Sequence, residues 1–197
     1  MDYGETLAYW YLRLNGFFPL TNFVNHRLKE KDIEHPSDCD VLAVRPPHVF
    51  EDIGGKPDDI DPWIWEQIKS ERTLGIICEV KTGRFDPKCI FRQQYNLYNL
   101  QRLGFTDDFD LLYELSHSEQ PFFDIKDNFR VIKLFISAKN SNGPYINCTV
   151  AQLFQFLLNR VNKYPIEKYQ DRMFFNSILF QGIIEINHLK KVLKIND

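Results

Sequence analysis

Leu74-Gly75-Ile76-Ile77-Cys78-Glu79-Val80-Lys81 is apolar on both faces until its charged end. A strand with that pattern is covered on each side, as in a sheet carrying helices above and below, so the segment predicts a central strand of an α/β fold. Successive side chains of a strand face opposite ways. Glu79 and Lys81 therefore share one face at the strand end, and Cys78 and Val80 share the other.

Upstream, residues 39 to 46, CDVLAVRP, predict a second strand ended by Pro46 and Pro47, with Asp38 and Asp40 in its polar lead-in. Before it, LTNFVNHRLKE after Pro19 alternates loosely and predicts another strand. The chain opens with GETLAYWYLRLNGFF, in which Leu7, Ala8, Tyr11, Leu12 and Leu14 recur at helical spacing, Glu5 falls in the first turn and Gly16 is placed to stop the helix. Between the second strand and the central one, residues 47 to 72 differ in style. They hold Gly54-Gly55, Pro57, four aspartates between residues 52 and 61, and a short helix WIWEQIKSE after Asp61-Pro62, which together read as an insertion.

Downstream, a helix is expected from roughly Pro87 to Leu103, with Phe91, Tyr95, Tyr98 and Leu103 along one stripe and Gly104 closing it. Residues 105 to 128 carry weak local signals. Residues 129 to 138, FRVIKLFISA, read as another buried strand, TVAQLFQFLLNRV reads as a helix, and MFFNSILFQGIIEI mixes periods and is left unassigned. The expected order is helix, three strands, helix, strand, with helical additions at the C-terminal end. The fold class is α/β: a central mixed four-stranded sheet flanked by helices, the first three strands forming a meander and the last joined in parallel by a right-handed crossover.

The chain has 197 residues, 44% of them hydrophobic, which suits one domain spanning residues 1–197. No apolar run approaches the roughly 20 residues that span a bilayer, and MDYGETLAYW opens with acids rather than a basic and apolar leader. The expectation is a soluble, cytoplasmic protein with no membrane partner. Cys39, Cys78, Cys89 and Cys148 are scattered without a CxxC pair, which fits reduced thiols. A zinc site joining Cys39 and Cys78 to His26 or His35 is a minor alternative, since structural zinc favours close ligand pairs; alternation turns both thiols away from the neighbouring acids. Gly54-Gly55-Lys56 lacks the upstream glycine and following hydroxyl of a P-loop.

A net charge of −3 gives the molecule no overall attraction for a polyanion, so nucleic acid contacts would come from local clusters. Lys81, Arg84, Lys88 and Arg92 form one directly after the central strand. Lys190, Lys191 and Lys194 form another that reads as a solvated face. Asp58, Asp59 and Asp61 would repel phosphate, which points their loop away from DNA or toward a protein partner. Two carboxylates are a usual protein contribution to a Mg²⁺ site, and Asp40 with Glu79, next to the Lys81 ammonium, is such a set if the two strands adjoin. Asp38 is the alternative ligand. Asp40 as a turn cap before its strand is the bland reading.

These residues carry a family resemblance. The element order, Asp40 and then Glu79-Val80-Lys81 resemble the PD-(D/E)XK nuclease superfamily, the restriction-endonuclease-like fold with its helix, strand, strand, strand, helix, strand core. Gly4-Glu5 with Gly16-Phe17 is similar to the first helix of several members, including Holliday junction resolvases, and Gln94-Tyr95-Asn96-Leu97-Tyr98 resembles the Q-h-x-x-Y helix of the exonuclease branch. Cys39 stands where the family name has proline, and the insertion lengthens the gap from Asp40 to Glu79.

The resemblance implies a Mg²⁺- or Mn²⁺-dependent deoxyribonuclease that leaves 5′-phosphate and 3′-hydroxyl ends. Asp40, Glu79, the Val80 carbonyl and Glu5 would hold the cation. Lys81 would orient water or neutralise phosphate; Gln94 and Tyr98, with Arg84, Lys88 and Arg92, would bind substrate. For Glu5 a role in the helix N-terminus is equally open, and for Gln94 and Tyr98 an ordinary helical one. Alternatives are a catalytically inactive protein- or nucleic-acid-binding module on the same fold, and an RNA-directed nuclease. A homodimer would suit the family.

Overall fold

Strand β3, Thr73–Lys81, is central. It pairs antiparallel with β2, Ser37–Arg45, and parallel with β5, Phe129–Ser137. The computed structural model of the chain describes residues 2–25, 37–50, 55–69, 71–86, 89–126, 128–165 and 178–193. Strand β1, Phe18–Asn25, lies outside β2 and pairs antiparallel with it, so the first three strands are the expected meander. Pro19 is accommodated because an edge strand has a row of ladder positions with no partner to serve.

The sheet is larger than the four strands expected. The far side of β5 is shared between β4, Phe122–Ile125, antiparallel along its first half, and β6, Ile146–Thr149, parallel along its second, giving a mixed six-stranded sheet. Four-residue strands are too short to declare a period in the sequence. They exist because β5 exposes ladder groups that must be satisfied once it is buried.

Helices cover both faces. Helix α1, Tyr3–Leu14, starts with a capping box in which the Asp2 carboxylate accepts from the Glu5 N–H and the Glu5 carboxylate accepts from the Asp2 N–H. Its buried stripe of Leu7, Ala8, Tyr11, Leu12 and Leu14 packs with Val41, Ala43, Ile76, Cys78 and Val80 in the larger core, and the chain turns at Gly16, φ 82°. Helix α5, Val150–Lys163, shares that core through Leu153, Leu157 and Val161. Helix α6, Ile178–Leu193, adds Ile183 and resolves the segment of mixed period as helical from Ile178 onward; residues 173–177 lie outside the described residues. Helix α3, Gln93–Leu103, and helix α4, Phe109–Ser116, which went undetected among the weak signals of residues 105 to 128, pack on the opposite face with Ile77, Leu42, Val131 and Phe135.

The expected helix from Pro87 is shorter at its start. Pro87 and Lys88 lie outside the described residues, and Cys89 to Arg92 form an irregular turn in which Phe91 has φ 53°. Asn96 holds that turn by donating to the Phe91 carbonyl at 2.9 Å.

The insertion is stitched to the core. A 3-10 turn, Pro57–Asp59, leads into helix α2, Pro62–Ile68, capped by Asp61. Buried Asn15 accepts from the Asp61 N–H at 2.8 Å, and the Trp63 indole donates to the Tyr11 hydroxyl at 2.8 Å. Trp65 also packs against the larger core, so both tryptophans are partly buried anchors. Asp58 and Asp59 pair with Lys163 at 2.7 and 2.8 Å, which holds the acidic turn against α5. Among the described residues no helix is long and apolar enough to cross a membrane.

Gly4 seats the start of α1 on the end of β3. A Cβ there would lie 2.6 Å from Thr82 Cγ2 and 2.7 Å from Val80 Cγ1. These are short, branched side chains that cannot swing clear. Gly4→Ala should therefore destabilise the protein by about 1–2 kcal/mol despite the better helix propensity of alanine. Urea denaturation checks it; an unchanged midpoint would contradict the packing.

Candidate active site

The sheet forks where the charged residues stand. The β2–β3 ladder runs from Arg45↔Leu74 to Val41↔Cys78 and ends there. Yet β2 stays on β1 as far as Asn25↔Ser37, and β3 stays on β5 as far as Lys81↔Ser137. Asp40, the first β2 residue past the fork, fills the opening with its side chain. Its Oδ2 accepts from the Val80 N–H at 2.6 Å and from the Lys81 ammonium at 3.1 Å. The carboxylate thus takes a main-chain donor left without a strand neighbour, which a buried N–H requires. Lys81 Nζ also lies 3.5 Å from Glu79 Oε2.

One ammonium therefore serves two carboxylates. The Asp40 and Glu79 side chains are 10% and 14% exposed, against 40% for Lys81, so the acids form the floor and the amine faces outward. Phe135, fully buried, is the parallel neighbour of Glu79. Its ring packs edge-on with Phe85 at 5.0 Å and tilted against Tyr145 at 4.9 Å. This setting raises the Glu79 pKa to about 7: burial is the largest cause and the Asp40 charge the next, with Lys81 opposing both. For Lys81, burial alone would lower the pKa, but Asp40 and Glu79 prevail and hold it above the ordinary lysine value. The fork thus holds two carboxylates and one ammonium, and Glu79 has a raised proton affinity.

The cysteines divide between the two cores. Cys78 packs in the larger one, as alternation predicts, whereas Cys39 lies with Leu42 and Ile77 in the smaller one, on the face that bears Glu79. The expectation that both thiols turn from the acids is corrected accordingly. Burial, then the neighbouring acids, pushes both thiol pKa values up, so they are neutral core groups. All four cysteines are free, and His26 and His35 lie outside the described residues.

Glu5 is carried by the end of α1 next to Val80 and Thr82, but its carboxylate is engaged in the helix cap. Val80 gives its N–H to Asp40 and buries its side chain. Arg84 is exposed just beyond β3, and Arg92 is exposed at the start of α3, where it donates to Cys89 Sγ. Lys88 lies outside the described residues, as do the side chains of Asp38 and Gln94. Half-buried Tyr98 belongs to α3, which packs on the same sheet face as Glu79 and Lys81. Asn147 is committed internally: its amide donates to the Phe135 carbonyl at 3.0 Å and to Ser137 Oγ at 2.9 Å. The sequence signal for this second polar group was the turn-rich SAKNSNGPY directly after the strand parallel to β3.

No family model, no curated protein and no solved structure matches the chain. The reading of the site rests on its own geometry. Among the described residues no group of three or more His, Cys, Asp or Glu side chains is arranged to hold a metal ion. Two carboxylates remain, and that number fits Mg²⁺, which keeps most of its waters and takes one or two carboxylates from a protein.

Proposed function

We propose that the chain is a metal-dependent deoxyribonuclease with a restriction-endonuclease-like core. The observation that carries the proposal is the fork itself: Asp40, brought in from another strand, meets Glu79 and Lys81 with one ammonium between two shielded carboxylates. The succession of α1, the β1–β2–β3 meander, α3 and parallel β5 supports the same reading, with β4, β6, α2, α4, α5 and α6 as additions.

Asp40 and Glu79 would hold Mg²⁺ or Mn²⁺, with the Val80 carbonyl as the main-chain ligand that the resemblance implies. The cation supplies Lewis-acid stabilisation of developing phosphate charge and acidifies water. The protein's part is to fix the two carboxylates. Asp40 is anchored by the Val80 N–H, and Glu79 stands beside the aromatic wall of Phe135, which limits water. Lys81, the most exposed of the three, directs its ammonium to the phosphate or to the attacking water. Arg84 and Arg92, exposed on the connection to α3, are the nearest candidates in sequence for backbone phosphates, with Lys88 between them. Glu5, whose Oε2 accepts from the Asp2 N–H in the helix cap, would be a further ligand.

The test is direct. Purified protein is incubated with labelled linear, branched and single-stranded DNA in Mg²⁺ or Mn²⁺. Cleavage leaving 5′-phosphate and 3′-hydroxyl ends is expected, and EDTA should stop it. No cleavage of any substrate, together with no Mn²⁺ binding by calorimetry, would leave a noncatalytic binding module as the reading.

A further inference from the structure

The strands β3 and β5 leave the sheet side by side, and the second of them carries an ordered polar loop with no role in the centre described above. Lys81 is the parallel register partner of Ser137, and Lys139 follows two residues later. Adjacent strands lie about 4.8 Å apart, and two further residues extend at most about 7 Å. The start of the Lys139 side chain is therefore within roughly 12 Å of the Lys81 backbone.

This loop is exposed but fixed. Ala138, Lys139, Asn140, Asn142 and Gly143 are exposed. Beneath them Asn147 spans the loop: its amide donates to Phe135 O and Ser137 Oγ, and its Oδ1 accepts from the Ser141 N–H at 2.8 Å. Ser137 Oγ donates to the Lys139 carbonyl at 2.7 Å. Tyr145 shares a hydrogen bond with Ser141 Oγ at 2.8 Å while its ring packs on Phe135, the neighbour of Glu79. Surface loops are ordinarily mobile, and these hydrogen bonds hold the backbone around Lys139 in one arrangement, as a preorganised contact requires. The ligand's sign follows from charge. A polyanion approaching the acidic fork meets repulsion unless cations flank it, and with a whole-chain charge of −3 they must be local.

We propose that the Ala138–Pro144 loop is a second phosphate-binding element, in which Lys139 contacts a backbone phosphate of DNA beside the one held at Lys81, with Arg84 on the other flank and Asn147 as the positioning residue. The assignment rests on the nuclease reading. It makes the substrate cross the C-terminal edges of the parallel strands β3 and β5, where open parallel sheets present their ligand-binding crevices.

The test is binding of a fluorescein-labelled DNA duplex to the full-length protein in EDTA, by anisotropy over a range of salt. Lys139→Ala should weaken binding about 5- to 10-fold and reduce the slope of log affinity against log salt by about 1, as loss of one phosphate contact does. Lys139→Arg should restore both. Asn147→Ala should weaken binding with the Lys139 charge still present, and Lys69→Ala, at the C-cap of α2, should leave binding unchanged. If the parent protein binds and cleaves DNA while Lys139→Ala matches it in affinity and salt slope, the loop assignment is overturned and the metal-centre reading stands. If the parent neither binds nor cleaves DNA, both fall together.

Discussion

If the proposed nuclease reading holds, Lys81→Ala should reduce DNA cleavage by about 10²–10³-fold while leaving divalent-cation binding in place, because its ammonium would stabilise charge in the reaction without being a ligand. Asp40→Asn should reduce cleavage at least as much and also abolish Mn²⁺ binding by calorimetry. The asparagine keeps an oxygen to accept from the Val80 N–H but lacks the charge that holds a hard cation. The pair therefore separates two roles that loss of activity alone would merge. Lys81→Arg should rescue poorly, since a planar guanidinium does not occupy the point between Asp40 and Glu79 in the way an ammonium does. Full activity in Lys81→Ala, with folding intact by circular dichroism, would remove this residue from the mechanism.

A second large effect concerns pH. The Glu79 pKa is raised from 4.5 to about 7 on folding. A carboxyl with a raised folded-state pKa gives its full stability benefit below the unfolded pKa, and that benefit is lost as pH rises through the folded one. Between about pH 5 and pH 8 the metal-free protein should therefore lose about 2–3 kcal/mol through this residue alone. Glu79→Gln should flatten the dependence, and the difference between the two urea-denaturation series isolates the contribution from other titrating groups. Mn²⁺ should recover stability at pH 8 far more than at pH 5, because cation and proton compete for the same oxygen atoms. Parallel pH curves for the parent and Glu79→Gln would mean that Glu79 ionises without penalty and that the fork is not short of positive charge.

Much of this architecture is legible without coordinates. The α1 stripe and its Gly16 stop, the both-face apolarity of β3, the apolar run of β5 and the Asp61-Pro62 start of α2 are local signals, and the folded chain uses them as read. The failures have local causes as well. β4 and β6 are four residues each and form to complete the ladder of β5. The α3 start is delayed because Phe91 adopts a left-handed backbone that Asn96 holds. At the site, Asp40, Glu79 and Lys81 stand together as the motif suggests, whereas Glu5 spends its carboxylate on the helix cap.

By itself the sequence determined the order of α1, β1, β2, β3, α3 and β5, the centrality of β3 and the shared face of Glu79 and Lys81, because periodicity and turn chemistry act between residues a few positions apart. Only the tertiary structure decided that Asp40 reaches Val80 and Lys81 across a forked ladder, that Cys39 turns to the other core, that Phe135 shields Glu79 and that Asn147 braces the loop carrying Lys139. Each of those outcomes depends on which distant groups meet. Burial and the Asp40 charge, the two largest influences on the proton affinity of Glu79, both come from parts of the chain distant in sequence.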